Sequence, residues 1–222
     1  MLEERLGFDA AREAFEKADA KLYTPEVRAA RDLALARVVE IVERGDGPVL
    51  DVGTGRGALV ERLAHGARAV TASDSSPTVL ELLRRRLADG IQYVVADARS
   101  LPFPDASVAT VVSHLGLANI ADGEAALREL RRIGHELVAT HFFLPKEDAE
   151  NQSAARELGL DTLLDRERAL AALAAAGWRV EFEAEREVNA TPTPASELIP
   201  GVRIDALPVT ETRATWCVLR AV

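Results

Sequence analysis

Along this chain of 222 residues, short apolar runs alternate with stretches in which apolar positions recur at helical spacing. Val49, Leu50 and Val52 form the first run, Ala67 to Ser73 the second and Ile91 to Ala96 the third. Runs of this kind suit strands covered on both faces, where neither row of side chains meets water. Leu59, Val60 and Leu63 resume at helical spacing, and helices are predicted over about 56–66, 76–88 and 121–133. His135 to Leu144 reads as a fifth strand, Asp165 to Ala176 as a capped helix ending before Gly177, Trp178 to Val188 as a sixth strand and Ala214 to Ala221 as the last. Ahead of the first strand, Phe8, Ala11, Phe15 and Leu22 mark one amphipathic helix and Leu35, Val38, Val39 and Val42 a second, with Thr24-Pro25 as a helix start. Strands alternating with helices call for a parallel sheet, because parallel neighbours need a crossover. The expectation is an α/β domain over residues 46–222 with a helical lid over 1–45.

The segment Val49-Leu50-Asp51-Val52-Gly53-Thr54-Gly55-Arg56-Gly57-Ala58-Leu59-Val60 reads as a buried strand, a glycine-rich turn and a helix start. Three alternate glycines let the backbone approach a ligand closely and take positive φ where a side chain would clash. Such a turn aims free N–H groups at whatever lies above it. Asp51 stands two residues before the first glycine, Asp74 ends the second run and Asp97 ends the third. Asp74 has the spacing of a carboxylate that accepts the ribose hydroxyls of a nucleoside cofactor, and open α/β sheets bind ligands outside the carboxyl ends of their strands. A dinucleotide dehydrogenase is the rival: Gly53 to Ala58 fits G-x-G-x-x-G/A, and Asp74 lies about 20 residues on. That rival leaves Asp51 and Asp97 without a part, and neither Tyr23 nor Tyr93 is followed four residues later by a lysine.

Leu50 to Gly57, Ala72-Ser73-Asp74-Ser75-Ser76 and Val95-Ala96-Asp97-Ala98 together resemble the class I methyltransferases that use S-adenosylmethionine (SAM). The run Leu101 to Ile120 is similar to the fourth-strand region of the ubiquinone/menaquinone-biosynthesis type, and the resemblance covers residues 20–188. It implies a Rossmann-like class I methyltransferase fold with a seven-stranded, mostly parallel sheet and helices on both faces. It also implies cofactor contacts. Asp51 and the turn Gly53, Thr54, Gly55 and Gly57 would meet the methionine part. Asp74, with Ser75 beside it, would meet the ribose, Asp97 and the Ala98 N–H the adenine, and Ser113 the methionine part from the end of the fourth strand. The family usually carries Lys-Pro-Gly-Gly after the fourth helix; here Arg131-Arg132-Ile133-Gly134-His135 gives a shortened turn.

Composition narrows the chemistry. A net charge of −9 and a pI near 5.1 speak against a broad nucleic-acid surface. Arg84-Arg85-Arg86 and Arg131-Arg132 fall on expected helices, where charge runs are usually solvated faces. The polar N-terminus and the lack of a ~20-residue apolar run make the cytoplasm the default. One cysteine, Cys217, excludes an intramolecular disulfide and a Cys-rich zinc site, and the four histidines lack metal spacing, so no metal is expected. Methyl transfer is an in-line displacement helped chiefly by alignment and desolvation. For a hydroxyl acceptor a base is useful, and His114 and then His141 are the candidates, at the ends of the fourth and fifth strands. Tyr23 is a candidate lid or substrate contact, and the long connection 189–213 a place for substrate elements. The leading expectation is a SAM-dependent methyltransferase acting on O, N or C of a small molecule, as monomer or homodimer. A SAM-binding sensor without turnover is the alternative from another class.

Overall fold

A computed structural model describes residues 24–87, 89–198 and 202–222. Thr24 caps α1 (Pro25–Glu43), its hydroxyl accepting from the Val27 N–H at 3.2 Å, and Pro25 sits in the first turn, where its missing N–H costs nothing. There follow β1 (Val49–Val52), α2 (Ala58–Leu63), β2 (Val70–Asp74), α3 (Pro77–Arg86), β3 (Gln92–Val95), β4 (Val108–His114), α4 (Gly123–Ile133) and β5 (Gly134–Phe143). After β5 come α5 (Ala149–Glu157), α6 (Asp161–Leu164), α7 (Arg166–Ala175), β6 (Val180–Ala190) and β7 (Thr212–Ala221), with 3-10 turns at Leu117–Asn119, Ala195–Glu197 and Arg203–Ala206.

The seven strands form one sheet in the order β3-β2-β1-β4-β5-β7-β6. Strands β1 to β5 run parallel and β7 pairs antiparallel with both β5 and β6. The order reverses between β1 and β4, and the crevice at their carboxyl ends is where such a sheet binds its ligand. Alternation along each strand feeds two cores. Val111, Leu137 and Ala139 pack with Leu127, Leu130 and Ile133 of α4 and Leu173 of α7. Val112, Val138 and Val218 pack on the other face with Leu35, Val38 and Val42 of α1 and Leu83 of α3. Burying each such Leu stabilises the fold by about 2 kcal/mol. Residues 25–43 of the expected lid are therefore part of the sheet's own cover; residues 1–23, with Phe8, Ala11, Phe15, Leu22 and Tyr23, lie outside the described residues.

The elements differ from expectation in informative places. β2 begins at Val70 rather than Ala67, because the Arg68 guanidinium turns back to donate to the carbonyls of Val42 (2.7 Å) and Gly47 (2.8 Å). The turn before β5 is absent rather than short: α4 ends at Ile133 and the strand starts at Gly134, where a Cβ would lie 2.6 Å from Val111 Cγ2. β6 starts at Val180, not Trp178, whose indole N–H donates instead to the Leu127 carbonyl (3.1 Å) inside the core. Helix α5 has no counterpart in the hydrophobic pattern because two of the three side chains it buries, Asn151 and Gln152, are polar and the third is the small Ala155. Among the described residues no helix is long and apolar enough to cross a membrane.

Candidate functional site

β1 delivers Asp51 to the crevice and then turns through Gly53 (φ +65°), Gly55 (φ +48°) and Gly57 (φ +74°), each in the left-handed region that only glycine enters at little cost. The Thr54 N–H bonds the Ser73 carbonyl at 3.1 Å, fastening the turn to β2. A Cβ at Gly57 would meet Leu83 at 2.6 Å, whereas one at Gly55 would find nothing nearer than 3.9 Å, so the turn is open above its middle glycine.

Asp51 is buried. Its Oδ2 accepts from the Thr54 hydroxyl at 2.7 Å, while Oδ1 has no hydrogen-bond partner among the described residues. Burial pushes the carboxyl up to about 7, against the Thr54 hydrogen bond and helped by the negative charge of Asp74. An orphaned carboxylate oxygen beneath an open glycine turn wants a donor, and the ammonium of SAM's methionine part is one. Asp74 accepts from the Gly55 N–H at 3.0 Å on one oxygen and from the Ser76 N–H at 2.9 Å on the other. Each oxygen keeps a lone pair for a hydroxyl. Ser75 stands between Asp74 and the helix cap Ser76. Asp97 is half-exposed at the end of β3 and accepts three bonds from Arg99: from its N–H (2.9 Å), Nε (2.9 Å) and Nη2 (2.5 Å). Those bonds hold its carboxyl down at about 2. Ala98 lies between these two residues. The donor set and the turn thus fit the nucleoside that the sequence pattern implies.

Ser113 has another part than a free contact. It is fully buried; its hydroxyl donates to the Val52 carbonyl (2.8 Å) and accepts from the Leu117 N–H (3.1 Å), tying β4 to β1. The segment it anchors carries Gly116, where a Cβ would lie 2.7 Å from the carbonyl oxygens of both Val52 and Gly53. Gly116 is a site residue that the sequence reading missed, and its only signal is a glycine just past a strand end. Before it, Leu115 takes φ +61°, a conformation that costs a non-glycine residue about 1 kcal/mol or more.

The structure does not bring the two candidate histidines together. His114 lies beside α1 and the glycine turn; burial, then the charges of Arg31, Arg62 and Arg56, push its pKa down to about 3. His141 is buried at the α6 side of β5, its Nε2 donating to the Leu163 carbonyl at 2.7 Å, and burial lowers it to about 4. Both Nδ1 atoms lack a hydrogen-bond partner among the described residues.

A cavity of about 270 Å³ that neither histidine lines opens at Leu115, the residue before Gly116. Leu115 forms one wall, Val27 of α1 a second, Phe142 and Trp216 a third, and the connection from β6 to β7 the rest, through Thr193 and Asp205 among others. That connection is pinned from two sides. Asn119 Oδ1 accepts from the Ile204 N–H (3.0 Å), and Asn151 Oδ1 accepts from the Val209 N–H (2.7 Å) while its Nδ2 donates to the Thr210 carbonyl (3.1 Å). Thr212 adds a hydrogen bond to Asp148 at 2.5 Å. None of these pins had a signal beyond residue type.

Residues 50–136 match the family described as a methyltransferase domain. Demethylmenaquinone methyltransferase of Thermotoga maritima is 39% identical over 100 residues, which are 44% of this chain and 43% of that protein. The ubiquinone/menaquinone biosynthesis C-methyltransferase UbiE of Shewanella woodyi is 34% identical over 111 residues, 45% of this chain and 44% of that protein. The chain thus spans about half the length of the curated relatives it matches. The YcgJ protein of Bacillus subtilis superposes with a TM-score of 0.67 over 86% of this chain and 97% of that one, at 14% identity, a likeness of fold. Residues 50–136 thus match a methyltransferase domain, the chain shares the fold of the YcgJ protein, and over about half its length it is similar in sequence to methyltransferases of the ubiquinone/menaquinone group.

Proposed function

We propose that the protein is an enzyme that transfers a methyl group from SAM to a small-molecule acceptor seated in the cavity that opens at Leu115. The observation that carries this reading is the contiguity of two built spaces: Gly116 packs on the Gly53 turn, and Leu115, its neighbour in the chain, lines the cavity. When bound, SAM supplies an electrophilic methyl group on a sulfonium, taken up by in-line displacement. Asp51 Oδ1 accepts from the ammonium of the methionine part, Asp74 from the ribose hydroxyls, and Asp97, with the Ala98 N–H, holds the adenine edge. Gly53, Gly55 and Gly57 let the backbone come close, Thr54 orients Asp51, and Ser75 borders the ribose end. Ser113 works at one remove by holding the Leu115–Gly116 corner.

The cavity wall excludes water and aligns the acceptor, which is where most of the rate arises in such displacements. No general base is assigned to either histidine. A group whose conjugate acid ionises near 3 or 4 removes a proton poorly at neutral pH, and His141 is tied to Leu163. Domain organisation follows the same reading: α1 belongs to the catalytic domain. Calorimetric titration with S-adenosylhomocysteine (SAH), SAM and NAD(H), repeated on Asp74→Ala, tests the proposal. Saturable binding of the two sulfur nucleosides alone, weakened in the variant, is expected; binding of NAD(H) alone would overturn it in favour of a dehydrogenase.

A further inference from the structure

One side of the cavity is a face of the sheet, and the side chains on that face give it a shape. Thr212, Ala214 and Trp216 alternate along β7 and so stand on the same face. On the neighbouring strands Phe142 of β5 pairs with Trp216 and Ala190 of β6 pairs with Thr212, and each of these residues lines the cavity. The Thr212 hydroxyl is spent on Asp148. Ala214 and Ala190 are short, and their shortness leaves room above the sheet that a larger side chain would fill. At the Trp216 end this room is bounded by two nearly parallel rings, Phe142 and Trp216, with centroids 5.9 Å apart and an interplanar angle of 18°. Both rings are buried, and they pack in one core with Val27, Leu144 and Leu207, which fixes them as a flat wall. A further aromatic ring laid offset or edge-on against such a wall gains more than its buried area alone supplies, and a puckered saturated ring does not. At about 270 Å³ the cavity falls just below the ~300–1,000 Å³ of pockets for drug-sized ligands, so the ring it takes is a compact one.

Resting on the reading of this cavity as the acceptor pocket, we infer that β7 selects the acceptor by shape: Trp216, with Phe142, favours a flat aromatic ring, and Ala214 leaves the depth that admits it. The acceptor class is a compact aromatic, and Ala214 and Trp216 are the residues that determine specificity. Neither belongs to the cofactor contacts, so the selection is separable from SAM binding.

Calorimetry on the full chain saturated with SAH tests this by comparing phenethyl alcohol with cyclohexylethanol, which share the polar group and the carbon count and differ in the flatness of the ring. Apolar area alone favours the bulkier saturated ring. The flat wall is expected to reverse that order, the aromatic alcohol binding about threefold more tightly. In Trp216→Leu this preference is expected to vanish. In Ala214→Leu both alcohols are expected to lose saturable binding, with SAH binding kept as the sign that the variant has folded. Equal or tighter binding of the saturated alcohol to the unaltered protein overturns the inference, as does the lack of saturable binding by both. A folded Trp216→Leu protein that keeps the full preference overturns it, and so does a folded Ala214→Leu protein that binds the aromatic alcohol unchanged. Should a variant fail to bind SAH, the order of the two alcohols on the unaltered protein still decides. Failure of SAH to bind the unaltered protein sinks the proposed function, whereas SAH binding with the wrong order of alcohols sinks only the selection by shape.

Discussion

Three carboxylates end three neighbouring strands, yet their surroundings put them in different states, and each state has a measurable consequence. Asp51 is buried with one oxygen satisfied and one not. A ligand ammonium would complete it, so Asp51→Asn should weaken SAH binding by an order of magnitude or more in calorimetry, the scale of a lost charge-assisted hydrogen bond. Asp97 is the reverse case, with Arg99 already donating three hydrogen bonds to it. An adenine amino group must share that carboxylate with the guanidinium. Arg99→Ala should therefore tighten SAH binding a few-fold, and Asp97→Ala should weaken it; an Arg99→Ala protein that binds more weakly would show that the arginine contacts the nucleoside itself. The acids were legible in the sequence because Asp74 and Asp97 stand where an apolar run stops and Asp51 stands two residues before the first glycine of the turn. Ser113 was legible as a polar residue at a strand end, but its task was not: a sequence does not show that both halves of a hydroxyl are spent on Val52 and Leu117.

At the scale of elements, the parallel strands were readable because both of their faces are buried, which leaves runs dominated by apolar residues, such as Val49, Leu50 and Val52 around Asp51. Helix α5 was not, because two of the three side chains it buries are Asn151 and Gln152, whose worth lies in hydrogen bonds to Thr210, Val209, Leu144 and Pro145. Polar burial of this kind leaves no hydrophobic period, so the support of the cavity wall was invisible even where the 189–213 connection itself drew notice. Asn151→Ala should leave the Val209 N–H unpaired and lower stability by about 1–3 kcal/mol in urea unfolding. It should also raise the acceptor KM more than it lowers kcat, since the wall moves while the cofactor turn does not. The direct passage from α4 into β5 is an equally local device. Gly134→Ala places a methyl group 2.6 Å from Val111 Cγ2, and a loss of about 1–3 kcal/mol is expected from the overpacked join, with SAH affinity kept because the site lies at the other end of the strands.

Across the whole molecule, function and stability meet in the buried titratable groups, and their signs oppose one another. His114 and His141 are held neutral, with pKa values about 3 and 4 against an ordinary 6.5. Each favours the native state above pH ~6.5 and loses that advantage as acid protonates the unfolded chain first. Asp51, raised to about 7 from 3.8, acts the other way: the native state binds its proton before the unfolded one does, so between about pH 7 and 4 acid favours folding through this group. Counting protons in that window, the unfolded chain gains two on the histidines and the native state one on Asp51, a net of one. Stability should then fall by about 1.4 kcal/mol per pH unit between 6.5 and 4.5. Urea unfolding of the ligand-free protein at a series of pH values measures this slope. Asp51→Asn removes the opposing proton and should roughly double it, whereas a variant with an unchanged slope would mean that Asp51 is ionised throughout. The same carboxyl that weakens the apo protein at neutral pH is the one left waiting for a ligand, so saturating SAH should stabilise the unaltered protein more at pH 7 than at pH 5. At pH 5 Asp51 must first give up its proton to receive the ammonium.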